Sequence, residues 1–109
     1  MTDLELEQAK AIMDILKYDI ETDEDGTKYY YQHGKLHRDD GPAVEYADGT
    51  KYYFQHDKLH RDDGPAIEYA DGTKCYYQHG KYHRDDGPAI ESASGYKEWW
   101  LNGVEVDPF

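Results

Sequence analysis

The densest cluster of chemically capable side chains is His-Arg-Asp-Asp-Gly, which occurs at 37–41, 60–64 and 83–87. Imidazoles beside paired carboxylates are material for proton transfer, and together they offer nitrogen and oxygen donors to a divalent metal. All six histidines stand in pairs near this motif, as His33 and His37, His56 and His60, His79 and His83. On a helix that spacing would align two imidazoles, but a turn separates each pair here and no Cys-x-x-Cys accompanies them, so no metal or cofactor is expected. Glu21, Asp23, Asp25-Gly26 and Gln32 approach a calcium loop, yet the first position is Glu and the twelfth Gln. His-Arg-Asp also matches part of a kinase catalytic loop, without the Gly-rich phosphate loop or the length for two lobes.

Repetition itself argues against catalysis, because an active site is built once from converging residues. The chain is therefore read as non-enzymatic. On the structural reading, Asp39 and Asp40 accept turn N–H groups ahead of Gly41, as do Asp62 and Asp63, and Asp85 and Asp86, in their units. Arg38, Arg61 and Arg84 then pair with carboxylates of adjacent units. On the functional reading, the same six aspartates form a regular series of negative charge offered to a partner.

The elements that position these residues follow from a 23-residue period. Residues 25–47, 48–70 and 71–93 are near copies of one unit, and a degraded copy occupies 94–109, where Gly95, Lys97, Trp99, Trp100 and Gly103 keep the register. Within a unit, Pro42-Ala43-Val44-Glu45-Tyr46 and Lys51-Tyr52-Tyr53-Phe54-Gln55 read as strands flanking Asp48-Gly49, a strong hairpin signal for a type I′ turn. Two strands per unit are expected. The fold class is accordingly mainly β: tandem β-hairpin repeats over 25–109 forming an extended antiparallel meander sheet, preceded by one N-terminal α-helix.

With Asp48-Gly49 as the turn centre, Val44 would face Tyr53 and Glu45 would face Tyr52. The Val44 and Tyr53 side is the expected core, since its residue types vary least between units. Tyr31, Phe54, Tyr77 and Trp100 then form a second aromatic row on the other face. That row either holds the sheet together by stacking or serves a partner.

Residues 1–24 read differently, with eight acids against two lysines. Thr2 and Glu5 have capping-box spacing, and Leu6, Ala9, Met13, Leu16 and Ile20 recur at helical steps, so a helix is expected over 3–18. Its apolar stripe is read first as an end cap on the first repeat, and second as an acidic amphipathic helix offered to a partner. The whole chain carries 24 acidic and 12 basic residues, a net charge of −12. That balance opposes direct contact with nucleic acid or an anionic membrane and favours a partner with a basic surface. No apolar run approaches the ~20 residues of a membrane span. The N-terminal residues have no signal-peptide profile, and the single cysteine, Cys75, fits a reducing compartment, so a cytoplasmic location is expected.

The hairpin period, the aromatic strand, Gly34-Lys35-Leu36 and the later Gly-Pro resemble a variant of the MORN repeat over residues 25–103. They are more closely similar to the Lys-Leu-His-Arg-x-Asp-Gly-Pro-Ala units of phage and giant-virus proteins. The chain departs from the usual MORN pattern where His-Arg-Asp-Asp replaces a glycine-rich segment. The resemblance implies a protein-binding or scaffolding module, including antitoxin-like proteins, and in its sharpest form a phage protein that blocks a host defence or nucleic-acid-handling protein by charge mimicry. The alternative is a structural or self-assembling protein, with sheet edges or the helix stripe pairing in a homodimer.

Overall fold

A computed structural model describes residues 2–108. Met1 and Phe109, the outer bounds expected for the helical segment and the partial unit, lie outside the described residues. The chain opens with helix α1 (Asp3–Lys17), whose first turn is capped by the Thr2 hydroxyl accepting the Glu5 N–H at 3.2 Å. Strand β1 (Asp19–Thr22) follows directly and leads into β2 (Lys28–Gln32) and the short β3 (Lys35–Leu36). The first unit ends with β4 (Val44–Glu45), and the second opens with β5 (Lys51–Tyr52), β6 (Phe54–Gln55) and β7 (Lys58–Leu59). It ends with β8 (Ile67–Glu68), and the third repeats this with β9 (Lys74–Cys75), β10 (Tyr77–Gln78) and β11 (Lys81–Tyr82). The array closes with β12 (Ile90–Glu91), β13 (Lys97–Leu101) and β14 (Val104–Val106).

The main sheet is an antiparallel meander in the order β1-β2-β4-β5-β8-β9-β12-β13-β14, as the repeat period requires. It is a long, thin molecule of 51 × 32 × 28 Å. Each unit also carries a second small hairpin, β6 with β7 and β10 with β11, which the expectation of two strands per unit did not include. Tyr53 marks the fork: its N–H donates to the Ala66 carbonyl in the main sheet, and its carbonyl accepts the His60 N–H of its own hairpin.

The turns are distributed differently from the sequence reading. Asp48-Gly49 belongs to a three-residue loop, Ala47-Asp48-Gly49, closed by the Tyr46 N–H on the Thr50 carbonyl at 2.9 Å and by the Gly49 N–H on the Tyr46 carbonyl at 3.0 Å. Only Gly49 there has positive φ, +95°, which is the type I turn with a glycine bulge rather than type I′. The true type I′ turn is His56-Asp57, with φ of +50° and +67°, and its equivalents are His33-Gly34, His79-Gly80 and Asn102-Gly103.

The extra loop residue moves the register by one. Val44 faces Tyr52 and Glu45 faces Lys51, not Tyr53 and Tyr52 as expected. With a side-chain period of two, that slip exchanges the faces. Tyr29, Val44, Tyr52, Ile67, Cys75, Ile90 and Glu98 therefore run as one row across the sheet, with Val44, Ile67 and Cys75 buried. Beside it runs an alternating row of opposite charge, Lys28, Glu45, Lys51, Glu68, Lys74, Glu91 and Lys97. Tyr53 and Tyr76 lie on the other face, half-buried beneath arginines, while their counterpart Tyr30 is fully buried.

The apolar arc of α1 does not cap the array. Among the described residues of the helix none is buried, and Leu4, Leu6, Ile12, Met13, Ile15 and Leu16 are all exposed. Its opposite, polar side meets the first unit instead. The end of the sheet is covered by β1, whose four residues pair with β2, and by the buried Tyr18, which packs edge-on against Tyr30 at 5.9 Å between ring centres.

Candidate functional site: the repeated His-Arg-Asp-Asp loops

Each motif loop is built around its arginine. The Arg61 guanidinium lies 3.9 Å above the Tyr53 ring, and its NH1 donates to Glu68 Oε1 at 2.6 Å and to the Pro65 carbonyl at 3.1 Å. Arg38 and Arg84 repeat this over Tyr30 and Tyr76, with NH1 on Glu45 at 2.8 Å and on Glu91 at 2.7 Å. A cation stacked on an aromatic ring, with its N–H groups held by a carboxylate and a carbonyl, is fixed in position and charge. The glycine that ends each motif completes the sandwich. A Cβ at Gly41, Gly64 or Gly87 would lie 3.0 Å from the guanidinium carbon.

These contacts correct two expectations. The arginines pair with carboxylates of their own unit, not of adjacent ones. The aspartates accept from side chains, not from turn N–H groups: Asp39, Asp62 and Asp85 face His37, His60 and His83 Nε2 at 2.8–2.9 Å. Asp63 and Asp86 take the arginine Nε at 3.3 and 3.2 Å. In the first unit Arg38 Nε lies 3.3 Å from Asp40 Oδ1, too far off line to donate to it. The turn-stabilising carboxylates are Asp25, Asp48 and Asp71, each accepting the N–H two residues on. Those hydrogen bonds hold Asp48 and Asp71 below the usual carboxylate range.

The imidazoles connect one unit to the next. His37 Nδ1 accepts the His56 N–H at 3.1 Å, His60 Nδ1 the His79 N–H at 3.0 Å, and His83 Nδ1 the Asn102 N–H at 2.9 Å. An Nδ1 that accepts leaves the proton of the neutral ring on Nε2, where it meets the aspartate. The loop thus uses its histidine to hold the following type I′ turn. Gln55 and Gln78 add a second tie, donating to the Arg38 and Arg61 carbonyls at 2.9 and 2.8 Å.

The six candidate aspartates all reach the surface, but unequally. Asp39 and Asp40 are 47% exposed, whereas Asp62 and Asp85 are 85% exposed. The difference is α1: Lys17 Nζ sits 2.9 Å from Asp39 Oδ2 and pulls that carboxyl below its ordinary range, assisted by His37. The aromatic candidates lie on the opposite face. Tyr31 stacks on Tyr29 at 6.5 Å and Phe54 on Tyr52 at 6.3 Å, while Tyr82 bridges Tyr77 at 4.5 Å and Trp100 at 5.2 Å. The structure therefore does not bring the acidic and aromatic candidates together. Among the described residues no three histidine, cysteine or acidic side chains are grouped to hold a metal ion. Burial pushes the Cys75 thiol up, away from a reactive thiolate.

Sequence reasoning missed three features of the loops. Tyr18, whose hydroxyl accepts the Asp39 N–H at 2.9 Å, was passed over as the end of a helix. Tyr30, Tyr53 and Tyr76 were assigned to the core, which Tyr30 does join, but not to the arginines, although the same tyrosine in all three copies beside an unvarying arginine was available as a signal. The Nδ1 contacts had no local signal, since they join residues 19 apart. No family model matches this chain, and no curated protein matches it either. No helix is long and apolar enough to cross a membrane among the described residues.

Proposed function

We propose that the protein is an acidic, non-enzymatic binding module of MORN-like repeats whose motif loops present carboxylates to a basic surface on a partner protein. The observation that carries this reading is the contrast within each loop. The arginine is pinned and largely covered, while the aspartates beside it stand exposed at regular intervals along one face. Rigid, evenly spaced negative charge is suited to steering and registering a cationic partner. In its narrower form the partner is a host defence or nucleic-acid-handling protein whose phosphate-binding surface the aspartate series imitates, in the cytoplasm of that host.

The test is affinity capture with the full chain at low and raised salt, in parallel with an Asp62→Lys/Asp63→Lys variant shown by circular dichroism to keep its fold. A basic protein captured at low salt, released by salt and lost with the variant supports the proposal. Capture indifferent to both removes it. The exposed arc of α1 favours a second reading, self-association through that helix, which a salt-independent dimer in size-exclusion with light scattering would support.

A further inference from the structure

We infer that the two grooves between successive motif loops are docking sites for a partner segment that presents an adjacent lysine and tyrosine. Carboxylates alone would not make a site. What makes one is that the first loop already holds such a ligand, supplied by the chain itself. Lys17 Nζ reaches Asp39 Oδ2 at 2.9 Å, the Tyr18 hydroxyl accepts the Asp39 N–H at 2.9 Å, and the Tyr18 ring packs against Tyr30. Asp14 Oδ2, one turn back on the helix, lies 3.5 Å from Arg38 NH2. A single short segment, acid then Lys-Tyr, thereby satisfies the carboxylate, the backbone donor, the ring and the guanidinium of one unit.

The same space recurs over Tyr53 and over Tyr76, where the chain provides no such segment. A groove of about 570 Å³ runs above Tyr53 and Gln55 between the loops at 38–41 and 60–63, and one of about 540 Å³ runs above Tyr76 and Gln78 between the next pair. The consequence is visible in exposure: the arginine side chain is 9% exposed at Arg38 but 24% at Arg61 and 23% at Arg84. Because the three loops share sequence, the histidine–aspartate contact and the arginine–glutamate pair, chemistry that fits the first fits the other two. The partner is thus a protein segment with Lys-Tyr preceded by an acid three residues before the lysine. Net charge of −12 favours its lysine, and the half-buried tyrosine faces give its ring a platform.

This inference rests on the binding-module reading and specifies the ligand of the same face. It is tested by titrating the isotope-labelled full chain with an acetylated, amidated peptide of residues 12–21, which contains Asp14, Lys17 and Tyr18. Saturable amide shifts are expected at Asp62, Asp63, Asp85 and Asp86. A peptide with Lys17→Ala and Tyr18→Ala should bind about tenfold or more weakly, as loss of a charge-assisted contact implies. Asp85→Asn in the chain should weaken the groove above Tyr76 and spare the one above Tyr53, which Asp85 does not line. No shifts at millimolar peptide, equal shifts with the substituted peptide, or shifts confined to Asp39 and Asp40 would each overturn the inference. Charge-driven capture of a basic partner would survive all three results, so the two readings fail separately.

Discussion

His60 Nδ1 accepts the His79 N–H at 3.0 Å, so the imidazole of one unit holds the turn of the next. Each unit also receives a backbone tie there: the Gly80 N–H donates to the Leu59 carbonyl at 2.8 Å, and the Asp57 N–H to Leu36 at 2.9 Å. Coupling between units therefore passes through the second, smaller hairpins as well as through the main sheet. Nearest-neighbour ties of this kind are what make a repeat array cooperative.

Replacing His60 by Phe keeps a ring but deletes the acceptor and leaves the His79 N–H unpaired. The expected loss is about 0.5–1.5 kcal/mol in urea unfolding, the net range for a hydrogen bond whose exposed donor can turn to water. His56→Asn should cost far less, because asparagine tolerates the positive φ of +50° at that site. Nitrogen NMR should find Nδ1 of His60 accepting and the ring proton on Nε2, and a proton on Nδ1 would contradict the arrangement.

Gly64→Ala tests the arginine sandwich. Its Cβ would stand 3.0 Å from Arg61 Cζ, and the guanidinium cannot retreat without leaving Tyr53 or Glu68. A destabilisation of about 1–3 kcal/mol is expected from this overpacking. In an Arg61→Ala background the same substitution should be almost neutral, giving a large coupling energy in the double-mutant cycle. Additive effects would mean that Gly64 answers to some other constraint.

The meander and the start of the helix were legible in the sequence, because a fixed period and a capping residue are local signals. Register was not. Asp48-Gly49 fits two turn types that differ by one residue, and only the hydrogen bonds of Tyr46 with Thr50 and Gly49 decide between them. Choosing the two-residue turn exchanged the faces and placed Tyr53 with Val44, when Tyr53 in fact lies under Arg61. The aspartates of the motif were found as residues but misread as turn acceptors, since His-x-Asp and Arg-x-Asp contacts depend on a loop shape that spacing does not reveal. The strand at Asp19–Thr22 was hidden by continuity: Ile20 fits the helical stripe as well as it fits a strand.

Asp57 stands where the other copies have glycine, and its side chain serves the fold. Oδ1 accepts the Leu36 N–H at 2.6 Å while the backbone holds a φ of +67°. Asp57→Gly relieves the backbone but loses the acceptor, and Asp57→Ala loses the acceptor while keeping the strain. Thermal unfolding should therefore rank the native chain first, the glycine variant second and the alanine variant last. A glycine variant more stable than the native chain would show that the hydrogen bond contributes less than the strain costs.

Acid should weaken the fold through its turn carboxylates. Asp48 and Asp71 are held below their ordinary value of 3.8 by the Thr50 and Thr73 N–H groups, and Glu98 lies below 4.5 through Tyr96 and Trp100. A depressed folded pKa contributes stability that is present above the unfolded value and is lost as pH falls through the folded one. Unfolding free energy should thus decline below about pH 4, from these groups. Asp48→Asn combined with Asp71→Asn should flatten that decline, and an unchanged acid profile would assign it elsewhere.

Leu16 is 82% exposed, and Ile12, Met13 and Ile15 lie on the same outward arc of α1. Because the polar side of the helix makes its contacts with the first unit, through Asp14 and Lys17, changing the outward arc should leave the folded array intact. Leu16→Lys is expected to alter unfolding free energy by less than about 0.5 kcal/mol, the range for a surface site. Lys17→Ala should instead free Asp39 and expose Arg38 further, without touching the arc. If Leu16→Lys destabilises the monomer substantially, the helix packs through its apolar side after all. If it leaves stability alone but abolishes a salt-independent dimer, the arc is a self-association surface distinct from the acidic loops.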